Sequence, residues 1–145
     1  RIESDVAPLN HLIQEVLRIA PHVHVLRDPT RGGLATTLNE IAVQSRVNIT
    51  IDETAVPVQP AVQTACEMLG FDPLYVANEG KVIFILPADE AEAALQAMQK
   101  NVYGKNARKI GVVNADPAGR VLLKTQIGAT RVLDVMAGEM LPRIC

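Results

Sequence analysis

The apolar residues of this chain switch repeat between helical and strand spacing along its whole length, and that switching constrains the fold more than any other feature. Leu9, Leu12, Ile13, Val16, Leu17 and Ala20 recur at helical spacing until Pro21 stops the run. Ser4 or Asp5 is placed to cap that helix. Residues 22–27 read as a strand, with Val23 and Val25 facing one way. After the turn Asp28-Pro29-Thr30-Arg31-Gly32-Gly33, a second helix carries Leu34, Leu38, Ile41 and Ala42, with Thr30 placed as its cap. Val47, Ile49 and Ile51 then alternate with Asn48, Thr50 and Asp52, the pattern of a half-buried strand. Pro60 opens a third helix that shows Val62, Cys66 and Leu69 on one face and ends at Gly70. Val82-Ile83-Phe84-Ile85-Leu86 reads as a central strand. Residues 89–100 read as an alanine-rich helix with Ala91, Ala94, Leu95 and Met98 inward. Strands over 109–113, 120–124 and 130–135 close the pattern, the first two joined as a hairpin through Asp116-Pro117-Ala118-Gly119.

The order α, β, α, β, α, β, α, β, β, β predicts an α+β fold, with helices layered on a mixed β-sheet. At 145 residues, with 48% hydrophobic and 21% charged side chains, the chain can bury a sizeable core as one domain over 1–137, with no internal linker. Aromatic residues are 3% and tryptophan is absent, so the core is aliphatic. A net charge of −2 gives no basic footprint for nucleic acid or for a polybasic membrane contact. No apolar run approaches the ~20 residues that span a bilayer, and the polar start lacks the apolar core of a leader peptide. Cys66 and Cys145 make no disulfide framework, so a reducing cytoplasm is the expected location.

Cys145 is the last residue. A thiol at a chain end has nothing beyond it to restrain it, and thiolates are strong nucleophiles near neutral pH. Residues 138–145, with Gly138 and Pro142, are expected to form a flexible tail that carries this group. In the turn before the second helix, paired Gly32 and Gly33 allow backbone amides to approach an anion. The helix start adds positive partial charge, and Arg31 can clamp a phosphate. A tight strand-to-helix turn accounts for the same residues. Glu79, in Asn78-Glu79-Gly80-Lys81, is a carboxylate on a glycine-flanked turn, suited to a base at a cleft rim or to a solvated turn. His11, His22 and His24 lie at no metal-ligand spacing, so no metal site is expected. Cys66 sits in an apolar helical stripe and reads as core.

Arg27-Asp28-Pro29-Thr30-Arg31-Gly32-Gly33-Leu34-Ala35 resembles a signature in the second half of proteins related to aminoimidazole ribonucleotide synthetase and selenophosphate synthetase. Ala77-Asn78-Glu79-Gly80-Lys81 is similar to a second motif of that superfamily. Leu141-Pro142-Arg143-Ile144-Cys145 resembles the end of its HypE branch, the hydrogenase maturation proteins. The likeness covers essentially the whole chain, and it implies a carboxy-terminal domain related to the ferredoxin-like topology.

The resemblance implies a function as well. HypE-type proteins make the cyanide ligands of the nickel–iron hydrogenase centre. The carbamoyltransferase HypF loads a carbamoyl group onto the terminal cysteine, here Cys145. ATP, with Mg, then drives its dehydration to a thiocyanate, and the cyano group passes to iron on the HypC–HypD scaffold complex. On this reading Glu79 removes a proton from nitrogen, and Arg31, Gly32 and Gly33 stabilise the phosphate. Family members carry an amino-terminal half that supplies most of the nucleotide site and a homodimer interface. That half would precede Arg1, so these residues alone are expected to bind ATP weakly and to be inactive. Two other readings stand beside it. One is a delivery module that presents Cys145 to partner proteins. The other is a fragment of an ATP-dependent small-molecule synthetase, which would have no need of the terminal thiol.

Overall fold

The computed structural model describes residues 4–135. Cys145 and the 138–145 tail lie outside the described residues. The helices are α1 (Asn10–Ile19), α2 (Gly33–Ser45), α3 (Pro60–Leu69) and α4 (Ala88–Lys100). The strands are β1 (Val25–Arg27), β2 (Asn48–Asp52), β3 (Ile83–Ile85), β4 (Gly111–Asn114), β5 (Arg120–Lys124) and β6 (Thr130–Val132). The α+β fold with a mixed sheet is the observed one, and its residues group into two compact units.

The larger unit holds residues 29–78 and 110–135. Its sheet runs β4-β2-β5-β6, with β2 antiparallel to β4 and parallel to β5. Register pairs Ile49 with Val121 and Ile51 with Leu123. Strand side chains alternate between faces, so these residues share one face of the sheet. All four are buried there, and α2 contributes Leu34, Leu38 and Ile41 to the same core. The expected hairpin between residues 109–113 and 120–124 does not form. β2 lies between β4 and β5 and takes the ladder bonds of both, and the turn is anchored by the Gly119 amide donating to the Val47 carbonyl at 2.8 Å. Cys66 is buried, as its stripe predicts, but Leu69 is exposed, because α3 packs mainly through its Cys66 side.

The smaller unit holds residues 4–28 and 79–109. Leu12, Val16 and Ala20 of α1 and its end meet Ala94 of α4, flanked by Ile13, Val23, Phe84, Leu86 and Met98. β3 is not central to a larger sheet. Among the described residues it pairs only with β1, antiparallel, and its residues are half-buried. The apolar run around it is covered by the helices rather than by strands on both edges, since Phe84 and Leu86 pack against the α1–α4 cluster. The two caps expected from the sequence are absent. α1 starts after Leu9 without a side-chain cap, while Asp5 is engaged with Lys81 instead. α2 starts after Gly32, and the Thr30 carbonyl accepts the Gly33 amide at 3.0 Å.

Candidate functional site

In the larger unit, the turn ahead of α2 places Gly32 at φ +74° and Gly33 at φ +63°, the left-handed region that glycine enters without strain. Both glycines are also required by packing. A Cβ on Gly32 would strike the Thr36 side chain, and one on Gly33 would lie 2.6 Å from the Val76 carbonyl oxygen and 2.7 Å from that of Leu74. The segment holding the second motif therefore lies against the turn holding the first. The Asn78 amide donates to the Pro29 carbonyl at 3.0 Å, and Asn78 Nδ2 donates to the Val76 carbonyl at 2.8 Å. What this turn can offer a phosphate is the exposed Arg31 guanidinium and the positive end of α2, which has no side-chain cap, although the Gly33 amide itself is taken by the Thr30 carbonyl.

In the smaller unit, Glu79 lies on the wall of a groove of about 270 Å³. Ala7, Leu9, Ile13, Leu26 and Val82 line its apolar part, and Arg27, Asp28, Glu79 and Lys81 give it charge. Glu79 is exposed, so its carboxylate is accessible to a ligand. The turn that carries it is held from a distant part of the chain. The Glu79 amide donates to Asp5 Oδ2 at 3.3 Å, and Lys81 Nζ reaches the same oxygen at 2.9 Å. Partial burial pushes the Asp5 carboxyl upward. The hydrogen bond and charge of Lys81, with the Glu79 amide, outweigh this and hold it below the ordinary carboxylate value. Gly80 is glycine because a Cβ there would fall on the Asp5 carbonyl oxygen.

The structure thus places Arg31, Gly32 and Gly33 in one unit and Glu79 in the other. Asp5, Asp28 and Lys81 join Glu79 here: the sequence offers Asp5 as a helix cap and places Asp28 and Lys81 in the two motifs, but gives none of them a part in the site. Asp5 lies 74 and 76 positions from the residues it holds, beyond the reach of any local pattern. Among the described residues no group of three His, Cys, Asp or Glu side chains converges on a metal position. No helix among them is long and apolar enough to cross a membrane.

The family model for AIR synthase related protein, C-terminal domain, matches residues 1–124. A protein of Cupriavidus necator named carbamoyl dehydratase HypE is 54% identical over 144 residues, which are 99% of this chain and 41% of that protein. A crystal structure of hydrogenase maturation protein HypE in complex with ATP superposes with a TM-score of 0.91 at 49% identity, covering 98% of this chain and 44% of that one. A HypE–HypF complex superposes with a TM-score of 0.88 at 46% identity, covering 93% of this chain and 44% of the other. The chain therefore spans less than half the length of the relatives it matches. With its mixed sheet, its glycine turn and a family match running from the first residue through β5, the chain belongs to the AIR synthase related family as a carboxy-terminal domain.

Proposed function

We propose that this chain is the carboxy-terminal domain of a HypE-type carbamoyl dehydratase of nickel–iron hydrogenase maturation, and that it carries the acceptor thiol, Cys145. The observation that carries this reading is 54% identity to a carbamoyl dehydratase HypE along 99% of the chain. HypF is the proposed carbamoyl donor partner and ATP the proposed co-substrate. Both are supported by the solved HypE complexes with each. The HypC–HypD complex is the proposed recipient, the homodimer the proposed assembly and the cytoplasm the proposed location.

The Cys145 sulfur holds the carbamoyl carbon as a thiocarbamate. ATP, with Mg, supplies the phosphoryl group that turns the carbamoyl oxygen into phosphate, a good leaving group. Arg31 and the positive end of α2 neutralise phosphate charge. Gly32 and Gly33 act there by shaping the turn, since their Cβ positions are occupied by Thr36 and by the 74–76 backbone. Phosphoryl transfer releases ADP and, with loss of one N–H proton to solvent, leaves an O-phosphorylated imidate on the sulfur; Glu79 then accepts the remaining N–H proton as the carbon–oxygen bond breaks, phosphate departs and the nitrile forms. Its groove suits that step: apolar side chains lie beside the carboxylate, which is accessible on the wall.

A second description applies to residues 1–145 taken alone. They present Cys145 to partners, while most of the nucleotide site comes from residues outside them. The 41% coverage of the Cupriavidus necator relative supports it.

Intact mass spectrometry tests the reading in the complete polypeptide that contains this chain. With HypF, Cys145→Ser should gain no carbamoyl mass, whereas Glu79→Gln should load normally. In single turnover, Glu79→Gln should then dehydrate about 100-fold more slowly or worse. Normal loading of Cys145→Ser overturns the carrier assignment, and a normal dehydration rate in Glu79→Gln overturns the base.

A further inference from the structure

We propose that Asp5 is a positioning residue for Glu79: its carboxylate, joined to Lys81, fixes the Glu79-Gly80 turn so that the base is held at the groove. The inference rests on the reading of Glu79 as the base and extends it to a residue far away in sequence. The geometry carries it. One oxygen of Asp5, Oδ2, accepts both the Glu79 backbone amide at 3.3 Å and Lys81 Nζ at 2.9 Å, so a single atom bridges the residues on either side of Gly80. The backbone of residue 5 lies so close to Gly80 that a Cβ at position 80 would collide with its carbonyl oxygen and come within 2.9 Å of the Ala7 amide nitrogen. The turn is therefore gripped from one side by main chain and from within by a charged hydrogen bond. Ala7 and Leu9, on the irregular segment that follows Asp5, line the same groove as Glu79. Asp5 is itself exposed and adds little to a core, which fits a role in orienting the turn better than one in packing.

A general base works only when its carboxylate meets the proton at hydrogen-bond distance, and a displacement of about 1 Å costs on the order of a hundredfold in rate. Asp5→Asn keeps the size of the side chain and an acceptor for the amide but removes the charge that holds Lys81. The Glu79-Gly80 turn is then free to shift.

The test is a mutant cycle of Asp5→Asn and Glu79→Gln in the complete polypeptide, with HypF loading and dehydration followed separately by intact mass. Asp5→Asn is expected to load normally and to dehydrate about tenfold to a hundredfold more slowly. The double variant should be no slower than Glu79→Gln alone, because a residue acting only through the base loses its effect once the base is gone. Amide exchange at Glu79 should quicken in Asp5→Asn while the melting temperature changes little. A normal rate in Asp5→Asn beside a slow Glu79→Gln overturns the positioning role and leaves the base standing. Additive slowing in the double variant also overturns it, since Asp5 would then act elsewhere. A normal rate in Glu79→Gln removes the base assignment itself, and the proposal with it.

Discussion

Gly33 is the residue on which local conformation and tertiary packing make the same demand. Its φ of +63° disfavours any Cβ, and the carbonyls of Leu74 and Val76 occupy the space where one would go. Those carbonyls belong to main chain and cannot swing aside as a side-chain tip can. Gly33→Ala should therefore lower stability by at least about 2 kcal/mol, the left-handed penalty and the overpacking acting together. Urea unfolding measures it, and a loss below about 0.5 kcal/mol would show that the turn relaxes freely. The two glycines were legible in the sequence as a turn open to an anion or serving structure alone. Only the Thr36 side chain beside Gly32 and the 74–76 backbone beside Gly33 reveal that packing also requires both to be glycine.

At the scale of elements, polar contacts tie together segments that periodicity treats as separate. Asn39 is buried in α2, and its Nδ2 donates to the Leu133 carbonyl at 2.7 Å, fixing the helix to the chain beyond β6. In the smaller unit, the connection between α1 and β1 is tied to the start of α4 by His22. Its ring Nδ1 pairs with Glu90 Oε1, and its amide donates to Glu90 Oε2 at 3.2 Å. The hydrogen bond and charge of Glu90 raise the His22 pKa against an opposing effect of burial, and Asp89 adds a smaller push in the same direction as Glu90. The His22 hydrogen bond in turn lowers that of Glu90, and His24 adds to the effect. The histidine contribution is fully present below its unfolded pKa of about 6.5 and is lost as pH rises through the raised folded value. The glutamate contribution is present above its unfolded pKa of about 4.3 and is lost as pH falls through the lowered folded value. The pair therefore stabilises most between about pH 4.5 and 6.5. Melting curves of the wild type and His22→Ala should differ most in that window and converge as pH rises through the raised folded value, by a small margin because water screens the exposed imidazole. A difference that stays constant from pH 5 to 9 would mean that His22 acts by packing rather than charge.

For the molecule as a whole, each unit has an aliphatic core of its own, one between α2 and the mixed sheet and one between α1 and α4. Residues 1–145 should therefore fold by themselves. They should also bind ATP too weakly to hydrolyse it, since on the proposed function most of the nucleotide site lies outside them. A cooperative thermal melt by circular dichroism, with no measurable heat on ATP titration, is the expected result. Tight ATP binding by this chain would place the nucleotide site within it.

The sequence by itself determined the class of fold, the helices and most strands, the aliphatic core and the glycine turn. Each of these is written in spacing within a few residues of itself. Alternation marks β2 with Ile49 and Ile51, and helical repeats mark α1 and α4, because the buried face recurs at the period of the backbone. Strand partnership was decided only by the tertiary structure. The turn at 116–119 suggested that β4 and β5 pair, yet both bond to β2, because ladder bonds go to whichever edge the folded chain brings alongside. The run at 82–86 signalled burial but not by what, and helices rather than flanking strands cover it. The surroundings of Glu79 were set at the same level: its motif was visible, while Asp5, which holds its turn from 74 positions away, came into view only when folding closed that loop.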